Sequence, residues 1–271
     1  MNGTLYWRAL VGILRREWLR FVHQRGRFVA ALVRPLVWLL VFATGFRAVL
    51  GLSIIPPYDT YVLYPVYITP GLAGMILLFH GMQSSLAMVY DRELGSMRVL
   101  LTSPLPRWYL LFARLLASTL TALPLVYVFL AVAWFYEVRP PALGYLAVLP
   151  ALLLAGLLLG ALGLLLSALI RQLENFAGVM NFVIFPLFFT STALYPLWRL
   201  AEASPLLATL AAVNPFSHAI ELIRFALYLR LQPQALAVVL ATLALCFALA
   251  VLGYDPGRGL WGRRGHVVDA S

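Results

Sequence analysis

The chain has 271 residues, 63% of them hydrophobic and 11% charged, where a soluble domain carries about 25% charged side chains. Apolar runs long enough to cross a hydrocarbon core about 30 Å thick recur along it, which argues against a soluble fold. The net charge of +10 sits on arginines that flank these runs and form no basic face with aromatic readers, so no nucleic-acid partner is expected.

Residues 3–26 open the chain with Tyr6, Trp7, Leu10, Ile13, Leu14, Trp18, Phe21 and Val22 at three- and four-residue spacing and Arg8, Arg15, Arg16 and Arg20 between them. This predicts an amphipathic helix at the membrane surface, with aromatic rings at headgroup depth; an ordinary solvated helix is the competing reading. No A-x-A site follows the first apolar run promptly, so that run reads as a retained helix and not as a cleaved signal.

Six transmembrane helices are predicted, at 28–50, 67–90, 108–134, 145–169, 176–195 and 234–253, which makes residues 1–271 a single all-α membrane domain. Arg34 precedes Pro35 early in the first span and can snorkel to headgroups or touch a substrate. His80, in the second, is read as a helix-contact hydrogen bonder or a proton relay. The 91–107 loop starts with acidic Asp91 and Glu93, carries an apolar stripe of Leu94, Met97, Leu100 and Leu101, and ends at Pro104 and Pro106. It predicts a short amphipathic helix able either to transmit a push or to rest on lipid. In the fourth span Gly156 and Gly160 form one G-x-x-x-G, with Gly163 beyond it, whose default meaning is close helix packing.

Residues 196–233 are too apolar for a solvated loop, yet Pro196, Pro205, Pro215 and Pro233 cut them into pieces too short to cross. Ser204-Pro205 and Asn214-Pro215 each read as an N-cap followed by proline at the first helical position. Two short helices dipping back into the outer leaflet are expected, set against a pathway or its external gate. Cys246, the single cysteine, lies in the last span and builds neither a disulfide nor a thiolate metal site within one chain. Residues 254–271 form a tail.

Arginine placement orients the spans. Thirteen of the 20 arginines fall in the N-terminal segment, the 91–107 loop, the 170–175 turn and the tail, against five on the other side; Arg34 and Arg114 lie within spans. The richer side is read as cytoplasmic, with both termini there.

The predicted spans carry no Asp or Glu in their interiors, where proton- and sodium-coupled transporters generally place ion sites. No H-E-x-x-H or G-x-S-x-G occurs, so catalysis by this chain is not expected. The chain has no lysine, hence no Walker A loop; if ATP powers it, another polypeptide binds the nucleotide.

Three segments carry a resemblance to a family. Arg92 to Arg107, R-E-L-G-S-M-R-V-L-L-T-S-P-L-P-R, resembles the segment after the second span of ABC-2 type transporter permeases. Asn214 to Arg224, N-P-F-S-H-A-I-E-L-I-R, is similar to the stretch before their last span, and Arg34-Pro35-Leu36-Val37-Trp38 to part of their first. The resemblance implies an exporter permease that dimerises and pairs with two copies of a cytoplasmic ATPase, which holds the ATP and Mg. It implies a bacterial inner membrane location and an ATPase-coupling role for Asp91, Arg92, Glu93, Leu94, Gly95, Met97, Arg98 and Leu101. The re-entrant pair would close the external side, with Asn214, Pro215, Glu221 and Arg224 at that gate and Glu221 and Arg224 one turn apart, available to pair. Aromatic, leucine-rich spans suit an amphipathic or hydrophobic cargo, such as a drug, lipid or glycolipid. A secondary transporter or channel using His80 and Arg34 is the alternative, and a lipid-modifying membrane enzyme a third reading.

Overall fold

The long apolar runs fold as helices that begin and end at proline, arginine or a polar turn. The computed structural model describes residues 3–23, 25–45, 56–58, 62–93, 105–170 and 172–254. Among the described residues, four helices are long and apolar enough to cross a bilayer: α3 (Tyr64–Glu93), α4 (Arg107–Ala133, continued by a 3-10 turn to Tyr136), α5 (Gly144–Leu169) and α10 (Pro233–Gly253). Each lies within about three residues of a predicted span.

Of the remaining two predicted spans, the first is described only in part and the second comes out shorter. Helix α2 (Arg25–Gly45) has its apolar stretch over Val29–Phe42, which covers about 21 Å of a core about 30 Å thick. The far end of the predicted 28–50 span lies outside the described residues. Helix α6 (Leu173–Phe189) stops before the predicted 195. Thr190 Oγ1 donates to Pro186 O and Ser191 Oγ to Phe188 O, at 2.7 and 2.6 Å. These hydroxyls offer the backbone a local alternative to further helix.

The 196–233 segment forms three helices and not two: α7 (Leu197–Ala203), α8 (Pro205–Val213) and α9 (Pro215–Leu227). Prolines open α8 and α9, and these two meet at a bend of 72°; counted together they would make a fifth crossing. Ser204 sits at an N-cap position with extended backbone, but its side chain makes no capping bond, contrary to expectation.

Helix α1 (Gly3–His23) has no buried residue and turns Trp7, Trp18, Leu19 and Val22 outward. It is held on α4 by Tyr109, whose hydroxyl donates to Tyr6 O at 2.5 Å while the two rings meet edge to face, centroids 4.8 Å apart. A basic helix with outward aromatics suits the bilayer surface.

At the centre α3 packs along α5, with α4, α2 and α6 also on α3 and α9 and α10 on α5. The α3–α5 crossing is close because Gly81 faces Gly160 backbone to backbone. Helix α10 is peripheral: Ala235, Val239, Cys246 and Ala250 make one buried stripe, and the rest faces outward. The chain is thus an all-helical, multi-pass membrane protein whose bundle has a Tyr64 end and a Glu93 end.

Candidate functional site

Polar groups gather at both ends of this apolar bundle. At the Tyr64 end, α9 begins at Asn214, whose Oδ1 accepts from Phe216 N at 2.9 Å while its Nδ2 donates to Leu187 O and Thr190 O at 2.8 and 3.1 Å. One side chain therefore caps α9 and ties it to the end of α6. Asn214→Ala should cost about 1–2 kcal/mol through the lost cap and the stranded carbonyls. Asn214→Asp, which keeps the cap acceptor but turns a buried carboxylate toward the Leu187 and Thr190 carbonyls, should lose at least as much; thermal unfolding in detergent checks both.

Three turns along the same helix, Arg224 is buried to 2% exposure. Its Nη1 donates to Glu221 at 2.5 Å and its Nη2 to Thr192 O at 2.9 Å and Tyr67 O at 3.5 Å. The guanidinium also lies 4.1 Å from the centre of the Tyr67 ring. Tyr67 and Tyr64 in turn donate to Thr192 O and Leu194 O, both at 3.0 Å. The turn after α6 is thus pinned by α3 and α9 together. Tyr58 packs edge to face on Tyr228 with centroids 4.8 Å apart. Burial pushes the Tyr58 hydroxyl up, with the Arg224 charge opposing only in part, so it stays a neutral donor. Beside Glu221 and Arg224 opens a cavity of about 570 Å3, bordered by Trp198, His218, Gln232 and Gln234. Its size suits a small amphipathic molecule.

At the Glu93 end, three consecutive residues of α3 reach three different helices. Asp91 pairs with Arg114 of α4. Arg92 Nη2 donates to Ser167 O of α5 at 2.8 Å, and its guanidinium lies 4.8 Å from the ring centre of Tyr254, just past α10. The Tyr254 and Ser167 hydroxyls are 2.6 Å apart. Burial raises the Tyr254 hydroxyl and the Arg92 charge partly offsets this. Glu93 Oε1 accepts from Leu173 N at 2.8 Å, the first residue of α6. A carboxylate there satisfies an orphan donor and complements the helix dipole.

Between the ends, His80 Nε2 meets Thr121 Oγ1 at 3.0 Å, the helix-to-helix bond expected of it. Since the Thr121 hydroxyl donates to Ser118 O at 2.8 Å, the ring supplies the proton of the His80 contact. Arg34 lies over the Phe79 ring, 3.9 Å from its centre.

A model of the family described as "ABC-2 type transporter" matches residues 8–228. The chain belongs to this family. It is 28% identical over 220 residues to a protein of Porphyra purpurea provisionally named transport permease ycf38, covering 79% of this chain and 72% of that one. The protein of the same name from Cyanophora paradoxa is 25% identical over 230 residues, 83% of this chain and 76% of the relative. That of Pyropia yezoensis is 27% identical over 221 residues, with 79% and 72% covered. Family and relatives together make this a membrane transport permease.

Within this ABC-2 family chain, the predicted coupling residues divide. Asp91, Arg92 and Glu93 end α3, whereas Leu94, Gly95, Met97, Arg98 and Leu101 lie outside the described residues. The residues assigned to the gate are brought together: Asn214 and Pro215 start the helix that carries the paired Glu221 and Arg224. Sequence reasoning missed Arg114, Ser167 and Tyr254 at one end and Tyr67 and Thr192 at the other. An arginine inside an apolar run demands a partner, and that signal marked Arg114 for pairing, although it did not single out Asp91 from Glu93.

Proposed function

We propose that this chain is the membrane-spanning permease subunit of an ATP-binding cassette exporter, working as a dimer with two copies of a separate cytoplasmic ATPase. In this reading α2 to α6 and α10 provide six crossings, α7 to α9 form the re-entrant external segment, and the Glu93 end faces the cytoplasm of a bacterial inner membrane. ATP and Mg belong to the partner, since a chain without lysine supplies no Walker A loop. The cargo is amphipathic or hydrophobic.

The observation that carries the reading is the run Asp91-Arg92-Glu93. It joins the end of α3 to α4, α5 and α6 immediately before the segment that resembles the family's coupling helix. A displacement of that segment reaches these helices through short, charge-assisted bonds, which is what a remote ATPase needs in order to move a pathway.

The test is co-purification with a candidate cytoplasmic ABC ATPase from the same organism and cargo transport in liposomes. Leu94→Asp/Met97→Asp should abolish ATPase co-purification while membrane insertion persists. Glu93→Gln, which weakens the α6 link, should keep the ATPase bound and lower transport per ATP. Wild-type ATPase recovery with the double variant, or transport in ATP-free, partner-free liposomes, defeats the reading.

A further inference from the structure

A small cavity of about 70 Å3 lies between α1, α2, α3 and α4, bordered on its polar side by Glu17, Arg20, Ser84, Arg114 and Ser118. Its key group is Arg114, which is 6% exposed. One terminal nitrogen is paired with Asp91; the other, Nη1, is buried without a hydrogen-bond partner. A guanidinium N–H held in this way needs an acceptor, and the strongest acceptors for the arginine fork are carboxylate and phosphate oxygens.

The charge balance points the same way. Arg20 reaches Glu17 only at 3.8 Å, and Glu17 is already engaged by Arg16 at 2.9 Å. A second cavity of about 120 Å3, bordered by Arg34, shares Ala31, His80 and Gln83 with the first. Arg20, Arg34 and Arg114 thus surround the pair of cavities, against Glu17 and Asp91, which are both spoken for. A net positive field remains for an anion.

The position decides between a lipid and a solute. Arg20 and Glu17 belong to α1, whose outward Trp7 and Trp18 set it at the bilayer surface. Basic pockets between membrane helices at this level take phosphorylated headgroups. We infer that this cavity holds the phosphate of an anionic phospholipid from the leaflet at the Glu93 end, with Arg114 Nη1 and Arg20 as its donors. The bound lipid fastens the surface helix α1 to α3 and α4. This inference is independent of the exporter reading, because the permease alone suffices to test it.

The full-length chain, delipidated and placed in phosphatidylcholine nanodiscs with or without phosphatidylglycerol, should retain one phosphatidylglycerol per chain by native mass spectrometry. Its thermal midpoint should rise with phosphatidylglycerol only. Arg20→Gln should weaken that binding about tenfold or more, the effect of one charged hydrogen bond. Arg114→Gln should abolish it; because Arg114 also pairs with Asp91, Arg20→Gln carries the test should Arg114→Gln fail to fold. Equal retention by Arg20→Gln, no preference for phosphatidylglycerol, or the same protection from inorganic phosphate in phosphatidylcholine alone each overturns the inference.

Discussion

Arg224→Met should lower the stability of the bundle by about 3–5 kcal/mol, the usual result of removing one member of a buried ion pair. Arg224 is 2% exposed and Glu221 26%, so the carboxylate left behind is only partly rescued by solvent. The substitution also withdraws a donor from Tyr67 O and Thr192 O, although Tyr67 Oη still serves the latter. Arg224→Lys should fall in between, since an ammonium cannot serve Glu221 and two carbonyls while lying flat on the Tyr67 ring. Glu221→Gln should lose less, because the amide oxygen still accepts. The double change Glu221→Met/Arg224→Met should recover part of the single-variant loss, because two apolar residues leave no stranded charge. Thermal unfolding in detergent reads all four; an Arg224→Met protein as stable as the wild type would show that the cluster holds nothing together.

The helices legible in the sequence were those whose apolar runs exceed the bilayer core and end at proline or arginine. Tyr64–Glu93, Arg107–Ala133, Gly144–Leu169 and Pro233–Gly253 differ only slightly from expectation. The helix expected to run to 195 ends at Phe189, where Thr190, Ser191 and Thr192 follow. Their hydroxyls and carbonyls instead build the turn on which Tyr64, Tyr67 and Arg224 converge. The Glu221–Arg224 pair was readable because its members are one helical turn apart. The other contacts of Arg224 were not, because Tyr67 is 157 residues away and Thr192 is 32. The same holds at the Glu93 end, where Arg92 reaches across 75 residues and Glu93 across 80. Helical periodicity reports which face of a helix is buried, not which distant helix covers it.

Gly81→Val should destabilise by about 3 kcal/mol or more, at or above the upper range for overpacking a core. A Cβ at position 81 would stand 2.9 Å from Gly160 Cα and 3.0 Å from Gly160 N. Both obstacles are backbone, so no rotamer change relieves them and α3 must move away from α5. The G-x-x-x-G of α5 offers a contrast within one helix. A Cβ on Gly160 would meet Leu115 Cδ1 and one on Gly156 would meet Thr119 Cγ2, each at 2.5 Å. Those are side-chain ends, and the leucine can turn aside, so Gly160→Ala should cost less than Gly81→Val, about 1–2 kcal/mol. Gly12, on the surface helix with nothing within 4 Å, is the control: Gly12→Ala should stabilise by up to about 1 kcal/mol through helix propensity alone. Thermal unfolding of the three variants in one detergent gives the order. A Gly81→Val protein no less stable than Gly160→Ala would mean that α3 and α5 are not in backbone contact. The link from the Asp91-Arg92-Glu93 run to α5 would then pass through Arg92 and not through the helix crossing.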